Sequence, residues 1–179
     1  AAIRAKDVEN GVMIIVESLF SMDSDVPDLR AFQNLAREYG ATLLVDVAHD
    51  LGALGPGGRG FIGAQGMLGQ IDVVMGSFSK TFASNGGFVC VKNRALKEYL
   101  RFFSPSTTFS NALAPAQAAV VLKAFEIIES AEGQGLREEL MTNVLALRGA
   151  LDHADLGYYG EPSAIVCVKT GAEGLARLV

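Results

Sequence analysis

Residues 71–92, IDVVMGSFSKTFASNGGFVCVK, contain two apolar runs on either side of a short turn that carries Lys80. The runs IDVVMGSF (71–78) and GGFVCVK (86–92) are rich in the β-branched and aromatic residues that strands favour. Because the turn between them is short, the second strand can run antiparallel to the first. We therefore predict two neighbouring strands of one sheet, joined by a turn that holds an ammonium group.

Upstream of this stretch, the pattern predicts a β-α-β unit. GVMIIVES (11–18) and ATLLVDVA (41–48) are typical of parallel strands buried on both faces. Between them PDLRAFQNLAREYG (27–40) predicts a helix that ends at Gly40. Its predicted buried face consists of Leu29, Phe32, Leu35, Ala36 and Tyr39. Such crossovers are nearly always right-handed.

Downstream, helical and loop patterns alternate until about residue 150. We predict helices over 93–103 and 116–130, a loop over 104–115, the end of a further helix within 147–160, and a strand over 163–169. The fold class is thus α/β, with a mostly parallel sheet flanked by helices. The change of pattern divides the chain into residues 1–150 and the start of a small second domain, 151–179. Both ends look cut from something longer, since GLARLV (174–179) lies in an apparent helix.

Composition excludes several classes of protein. The chain has 179 residues, is 50% apolar and carries a formal charge of −5, with no basic stripe for nucleic acid. Cys90 and Cys167 lie in separate strand-like runs, which predicts reduced core thiols and neither a disulfide framework nor a metal site. We find no transmembrane segment and no signal-peptide pattern, so the expectation is a soluble cytoplasmic protein.

Polar side chains follow three of the predicted strands, at the sheet edge where open α/β sheets bind ligands. Three of these residues have a structural alternative. Asp46 could be the N-cap of a helix that follows its strand, His49 could be a core or capping histidine, and Lys80 could extend into water. The residues are Ser21 and Asp23 after the first strand, Asp46 and His49 after the second, and Ser77, Ser79 and Lys80 after the third.

Lys80 is the hardest of these to explain as structural, because small hydroxyl residues and glycines surround it. A desolvated lysine becomes an amine nucleophile that forms a Schiff base with an aldehyde cofactor. Pyridoxal phosphate requires such an amine, a carboxylate for its ring nitrogen and donors for its phosphate. Lys80, Asp46 and Ser77 would supply these groups in that order, and a cation or donor is expected to face the buried Asp46.

Four motifs of the sequence resemble those of the α-oxoamine synthases, in the order and spacing of that family. They are VESLFSMDSD, LLVDVAHDLGALGPGGRG, DVVMGSFSKTFASNGGFV and TTFSNALAP. These enzymes have the fold-type I architecture of pyridoxal-phosphate-dependent transferases. The resemblance implies that residues 1–150 are the C-terminal part of the large cofactor-binding domain and that the chain is incomplete as a catalyst.

The resemblance also implies roles for individual residues. Lys80 matches the lysine that binds the cofactor covalently and later moves the substrate's α-proton. Asp46 matches the aspartate on the pyridine nitrogen, and His49 and Ser21 match residues near the phenolic oxygen. Ser77 takes the place of a phosphate-binding threonine. Ser110 and Asn111 match a loop that reaches the cofactor phosphate of the neighbouring subunit, which implies a homodimer with shared active sites.

The implied reaction is a decarboxylating condensation of an amino acid with an acyl-CoA, giving an α-amino ketone. GAQGMLGQIDVVMGSFSK is most similar to serine palmitoyltransferases, which implies sphingolipid biosynthesis, whereas FSNALAP resembles 2-amino-3-ketobutyrate CoA ligases. The chain departs from the family at Ser24, which replaces a glycine, and at Asp50, which replaces a small residue. Two alternatives remain: a fold-type I aminotransferase, and a non-catalytic partner subunit of a synthase.

Overall fold

Strands and helices alternate along most of the chain. The computed structural model describes residues 2–6 and 9–177. The helices are α1 (Ala2–Lys6), α2 (Leu29–Glu38), α3 (Gly60–Ala64), α4 (Arg94–Phe103), α5 (Pro105–Thr108), α6 (Pro115–Glu129), α7 (Ala131–His153) and α8 (Glu173–Ala176). The strands are β1 (Met13–Glu17), β2 (Thr42–Asp46), β3 (Val73–Ser77), β4 (Gly87–Val91), β5 (Tyr158–Tyr159) and β6 (Cys167–Val168).

The main sheet has the order β1-β2-β3-β4. Strands β1, β2 and β3 are parallel, and β4 pairs antiparallel with β3 over five residues. This arrangement confirms the predicted β-α-β unit and the short connection through the lysine. A separate two-stranded antiparallel sheet pairs β5 with β6, within the region where a second module was predicted.

Helix α2 forms where it was predicted, but its buried face differs from the predicted one. Asp28 caps its N-terminus by accepting a hydrogen bond from the Ala31 N–H at 2.9 Å. Leu29 and Ala36 are fully buried against the sheet, but Leu35 is 43% exposed, so its predicted burial is wrong. Gln33 lies in the buried face instead, because its amide donates to Asp72 Oδ2 at 3.3 Å.

One face of the main sheet carries most of the core, and the opposite face is open. The core packs α2 and α3 against buried residues of β1 and β2, including Val16, Leu43 and Val45. Strand residues alternate between faces, so the register places Met13, Ile15 and Val89 together on the opposite face. These three side chains are 54%, 66% and 54% exposed. The described residues therefore cover one face of the sheet and leave an apolar surface on the other.

A second cluster of buried apolar residues packs the turn after β3 against α6. Phe82 is 1% exposed and packs with Val121 and Ile128 of α6. Its ring contacts Phe78 edge-on, with centroids 5.3 Å apart, and lies 4.7 Å from the ring of Phe125. The backbone on either side of Lys80 is thereby held by aromatic packing.

Ser24 connects the loop after β1 to the segment between β5 and β6. The residue is fully buried with a φ of 58°, a conformation that favours the glycine it replaces. Its Oγ lies 2.6 Å from Ser163 Oγ and 3.0 Å from the Ile165 carbonyl oxygen. The side chain at this position therefore joins two parts of the chain that are far apart in sequence.

The structure corrects two other predictions and leaves two untested. The predicted loop 104–115 contains α5, which begins at Pro105 because proline is favoured in the first helical turn. Both cysteines are free thiols. Cys90 is exposed although its register partner Val74 places it on the core side of the sheet, because β4 is an edge strand of the described sheet, and Cys167 is half-buried, so the predicted core location was wrong. The proposed division at residue 150 falls inside α7, and it stays a prediction. Leu178 and Val179, in the predicted terminal helix, lie outside the described residues.

Candidate active site

Polar side chains from three neighbouring strands share one face at the carboxyl end of the sheet. The register pairs Glu17 of β1 with Asp46 of β2, and Asp46 with Met75 of β3. Ser77 follows Met75 by two residues, so it points to the same face as Asp46. This is also the open, apolar face of the sheet. Asp46 and Ser77 thus lie at the carboxyl ends of their strands, where they were predicted, and the structure adds that they share a face.

Asp46 is half-buried, and its carboxylate is only partly engaged. Its Oδ1 accepts a hydrogen bond from the Ala48 N–H at 2.9 Å, which stabilises the turn over residues 47–50. No helix begins within residues 47–50, so the alternative that Asp46 is a helix N-cap is wrong. Within residues 2–6 and 9–177 no cation pairs with Asp46, contrary to expectation. Its Oδ2 keeps unused lone pairs in the described part of the chain, so the carboxylate can still accept a proton donor.

His49 is held by a residue to which the sequence analysis gave no role. Its Nδ1 lies 3.1 Å from Glu17 Oε2, and the same oxygen accepts the Ser21 N–H at 3.2 Å. Glu17 therefore joins two of the predicted cofactor residues. The available signal was its position at the end of β1, which the parallel register places next to Asp46.

A second hydrogen bond lies beside the Glu17–His49 contact and joins the residues that directly follow these two. Ser18 Oγ donates to Asp50 Oδ1 at 2.7 Å, and Asp50 Oδ2 accepts the Phe61 N–H at 2.6 Å. Asp50 is fully buried, and burial raises the pKa of its carboxyl group because the charged form loses hydration. We refer to the two bonds Glu17–His49 and Ser18–Asp50 as the β1–β2 clamp.

Asp50 also constrains the glycine-rich segment GALGPGGRG, residues 52–60. Gly60 has a φ of 59°, and a Cβ there would lie 2.5 Å from Asp50 Oδ2. Only glycine accommodates this close approach without strain, and the approach brings the Phe61 N–H onto the carboxylate. Asp50, which departs from the family pattern, therefore stabilises the fold of the segment that follows His49.

Lys80 lies in a tight turn over residues 78–86, which we call the lysine turn. The Ala83 N–H donates to the Lys80 carbonyl oxygen at 2.9 Å, and the Phe78 N–H donates to Gly86 at 3.0 Å. Ser77 Oγ is 2.6 Å from Ser79 Oγ, so the two hydroxyls form a pair just before the lysine. Lys80 itself is exposed, so the expected desolvation of its amine is not provided by the described residues.

The remaining predicted residues are less closely connected. Ser21 is exposed and contacts the site through its backbone bond to Glu17. Ser110 and Asn111 are exposed between α5 and α6. Within the described residues they form no hydrogen bond to Asp46, His49, Ser77 or Lys80. The structure therefore brings Ser21, Asp46, His49 and Ser77 to one sheet edge, with Lys80 on the adjoining turn.

The donor set fits a cofactor with an aldehyde, a basic ring nitrogen and a phosphate. The site offers a solvent-accessible amine, a carboxylate with unused acceptor capacity and a hydroxyl pair next to Gly86 and Gly87, the last residue of the lysine turn and the first of β4. Metal binding has no comparable support: residues 2–6 and 9–177 contain no group of three or more His, Cys, Asp and Glu placed to hold an ion. None of the helices in this part of the chain has the length and apolar composition needed to cross a membrane.

Comparison with solved structures finds the same architecture in several enzymes. A serine palmitoyltransferase variant from S. paucimobilis superposes with a TM-score of 0.84 and 33% identity, over 93% of this chain and 43% of that protein. A Sphingomonas wittichii serine palmitoyltransferase gives a TM-score of 0.82 at 28% identity, over 93% and 41%. A Francisella tularensis 8-amino-7-oxononanoate synthase, at 24% identity, shares the fold with a TM-score of 0.75, over 99% and 52%.

Curated sequences give similar relatives. An 8-amino-7-oxononanoate synthase of Citrifermentans bemidjiense is 36% identical over 89% of this chain and 41% of its own length. A putative 8-amino-7-oxononanoate synthase of Gloeobacter violaceus is 38% identical over 89% and 40%. The chain thus spans about two fifths of the length of these relatives.

The family model for aminotransferase class I and II matches residues 1–176, nearly the whole chain. Both sets of relatives named above are α-oxoamine synthases. The chain therefore belongs to the aminotransferase class I and II family and, within it, to the α-oxoamine synthases.

Proposed function

We propose that the protein of which this chain is part is a pyridoxal-phosphate-dependent acyltransferase that condenses an amino acid with an acyl-CoA and releases carbon dioxide. The observation that carries the proposal is the row at the carboxyl end of the sheet, where Asp46 and Ser77 share a face and Lys80 follows on the next turn. The family membership and the likeness to pyridoxal-phosphate-containing structures support it.

When bound, the cofactor supplies an electron sink that stabilises a carbanion at the α-carbon of the amino acid. The chain's own residues have the remaining tasks. Lys80 Nζ anchors the cofactor and moves the α-proton, because it is an amine on an accessible turn. Asp46 Oδ2 holds a proton on the ring nitrogen, since a carboxylate stabilises the positive charge there. Ser77 donates its hydroxyl hydrogen bond to the phosphate while Ser79 Oγ donates to Ser77 Oγ, and His49 orients the reacting groups and polarises the incoming carbonyl.

As to substrate, we propose a serine palmitoyltransferase-like specificity. It is supported by the similarity of residues 63–80 to that group and by the structural likeness to the S. paucimobilis enzyme. The curated relatives are instead 8-amino-7-oxononanoate synthases, so the amino acid is the point that an experiment has to decide.

The visible absorption spectrum of the protein with pyridoxal phosphate tests the function. We expect a band of covalently bound cofactor, shifted by one amino acid when serine, glycine and alanine are added in turn, and a further transient absorbance when acyl-CoA follows. A shift with serine supports the proposed specificity, whereas a shift with alanine or glycine alone contradicts it. If no covalent band forms, the enzyme proposal is wrong and the partner-subunit alternative is favoured.

We also propose that the active site is shared between two subunits, with Ser110 and Asn111 contributed across the interface. Their exposure and their lack of bonds to the other site residues in the described chain support this assignment. Mixing a Lys80→Ala protein with an Asn111→Ala protein tests it, because one of the two sites in a mixed dimer then has both residues intact. Recovery of activity on mixing is expected, and its absence despite demonstrated subunit exchange would contradict a shared site.

A further inference from the structure

Glu17 occupies a central position between residues with proposed roles at the cofactor. Its register partner is Asp46, its Oε2 accepts the Ser21 N–H at 3.2 Å, and the same oxygen lies 3.1 Å from His49 Nδ1. The side chains of His49 and Glu17 are 24% and 32% exposed, so the contact is largely shielded from water. One carboxylate therefore contacts both segments that follow β1 and β2.

The chemistry of this contact determines the state of the imidazole. An ionised carboxylate has acceptors but no hydrogen to donate, so a hydrogen bond to it requires a proton on His49 Nδ1. In a neutral imidazole the unprotonated nitrogen is then Nε2. Glu17 thereby selects one of the two tautomers and fixes which ring nitrogen can accept a proton.

The backbone at both ends of this contact is also fixed. The Ser18 N–H donates to the Asp46 carbonyl oxygen at 2.8 Å, which continues the ladder between β1 and β2. Ser18 Oγ binds Asp50, and Asp50 binds the Phe61 N–H. Because Ser18 and Asp50 directly follow Glu17 and His49, the partners of the contact cannot separate without breaking buried hydrogen bonds. An exposed ion pair would have no such support.

We propose that Glu17 is a positioning residue that holds His49 in the tautomer protonated at Nδ1 and presents Nε2 as the nitrogen that works at the cofactor. The use of Nε2 rests on the proposed function, whereas the tautomer itself does not. The two parts can therefore fail separately, and the first is measurable without the cofactor.

The experiment is nitrogen-15 NMR of the histidine rings in the cofactor-free protein at alkaline pH, with the His49 signals assigned by their loss in His49→Gln. We expect His49 to be protonated at Nδ1 in the wild type. In Glu17→Gln the amide can accept or donate, so more than about half of this tautomer population should convert to the Nε2-protonated form. Glu126→Gln is the matched control, because it removes the same charge from an exposed ion pair with Lys123.

A second measurement connects the tautomer to the cofactor. After loading with pyridoxal phosphate, Glu17→Gln should change the ratio of the bound cofactor's absorption bands, and Glu126→Gln should leave the ratio unchanged. The proposal is overturned if wild-type His49 is protonated at Nε2, if Glu17→Gln keeps the Nδ1 tautomer, or if the cofactor bands of Glu17→Gln match those of the wild type. If Glu17→Gln fails to fold, the wild-type tautomer and the spectrum of Glu17→Asp decide instead: a protonated Nδ1 with altered bands supports the proposal, and anything else overturns it.

Discussion

The β1–β2 clamp and the lysine turn lie at the same edge of the sheet. Contacts within the described chain fix the side chains of the clamp, but they do not fix the amine of Lys80. In the clamp, Asp50 is fully buried, and each of its carboxylate oxygens has a partner. In the lysine turn the backbone is anchored by Phe78 and Phe82, but the amine of Lys80 is exposed. The clamp is thus preorganised, whereas the lysine turn has a fixed backbone and an unconstrained functional group.

This difference indicates where the lysine must acquire its reactivity. A lysine in water is protonated at neutral pH and is a poor nucleophile. Since the described residues do not desolvate Lys80, that environment has to come from whatever covers the open face when the site is complete. Asp46 and His49, in contrast, already have their orientation from the bonds within this chain.

The largest effect is expected at the lysine turn. Lys80→Ala should abolish covalent attachment of pyridoxal phosphate completely, because no other amine follows β3 in the same turn. Borohydride reduction followed by mass spectrometry measures the attachment. Lys123→Ala, which removes an exposed lysine from α6, should retain it. A reducible adduct in Lys80→Ala would contradict the assignment.

Asp46→Asn separates the two contributions of Asp46, because it removes the negative charge and keeps an acceptor for the Ala48 N–H. Asn Oδ1 can still accept the Ala48 N–H, so the fold and some cofactor binding should persist. Loss of the carboxylate should lower the rate of condensation by at least about 100-fold, the usual scale for removing a group that stabilises developing charge. Steady-state kinetics at saturating cofactor measures this, and a rate within about tenfold of the wild type would show that Asp46 only stabilises the turn that follows β2. Asp152→Asn, at an exposed carboxylate bonded to Tyr158, is the control.

Asp50 tests whether the clamp is as rigid as its hydrogen bonds suggest. Asp50→Ala leaves the Phe61 N–H and the Ser18 hydroxyl without this acceptor, which should lower the free energy of unfolding by about 1–3 kcal/mol. Urea denaturation measures the loss. An unchanged midpoint would mean that water replaces the carboxylate without cost and that the clamp is weak.

Asp50 also makes the stability of the folded protein depend on pH, and its raised pKa sets the direction of that dependence. Burial raises the pKa of Asp50 in the folded state, so the folded protein holds its proton to higher pH than the unfolded chain does. Stability contributed by Asp50 is therefore present below the ordinary value, about pH 4, and is lost as pH rises through the raised folded value. Asn does not titrate, so the stability of the wild type relative to Asp50→Asn should fall over this window. A difference independent of pH would contradict the raised pKa.

The smallest effect is expected at Ser24, outside both regions. Ser24→Gly relieves a positive φ but loses the contact with Ser163, whereas Ser24→Ala loses the contact and keeps the strained backbone. Ser24→Ala should therefore be less stable than Ser24→Gly by about 1 kcal/mol. Thermal denaturation of the pair decides this, and equal stability would show that the backbone conformation costs nothing here.

The sequence predicted the strands and the shared edge well because both depend on local patterns. Apolar runs identified β1 to β4, and parallel pairing then brings their carboxyl ends together whatever the side chains are. Contacts between segments were not predictable in this way. Glu17 and Asp50 acquire their roles only through the register of β1 against β2, and the exposure of Lys80 and Cys90 depends on which surfaces other residues cover. Gln33 lies in the core in place of Leu35, where its amide nitrogen donates to Asp72 and its carbonyl oxygen has no hydrogen-bond partner in the described chain.

The open face of the sheet has a practical consequence for handling this polypeptide. Strands β1 and β4 are the outermost strands of the main sheet in the described chain, and each carries apolar side chains that are more than half exposed. Unpaired strand edges next to apolar surface are templates for aggregation. Residues 1–179 produced alone in a host cell should accumulate as insoluble material, and lysine substitutions at Ile15 and Val89 should increase the soluble yield.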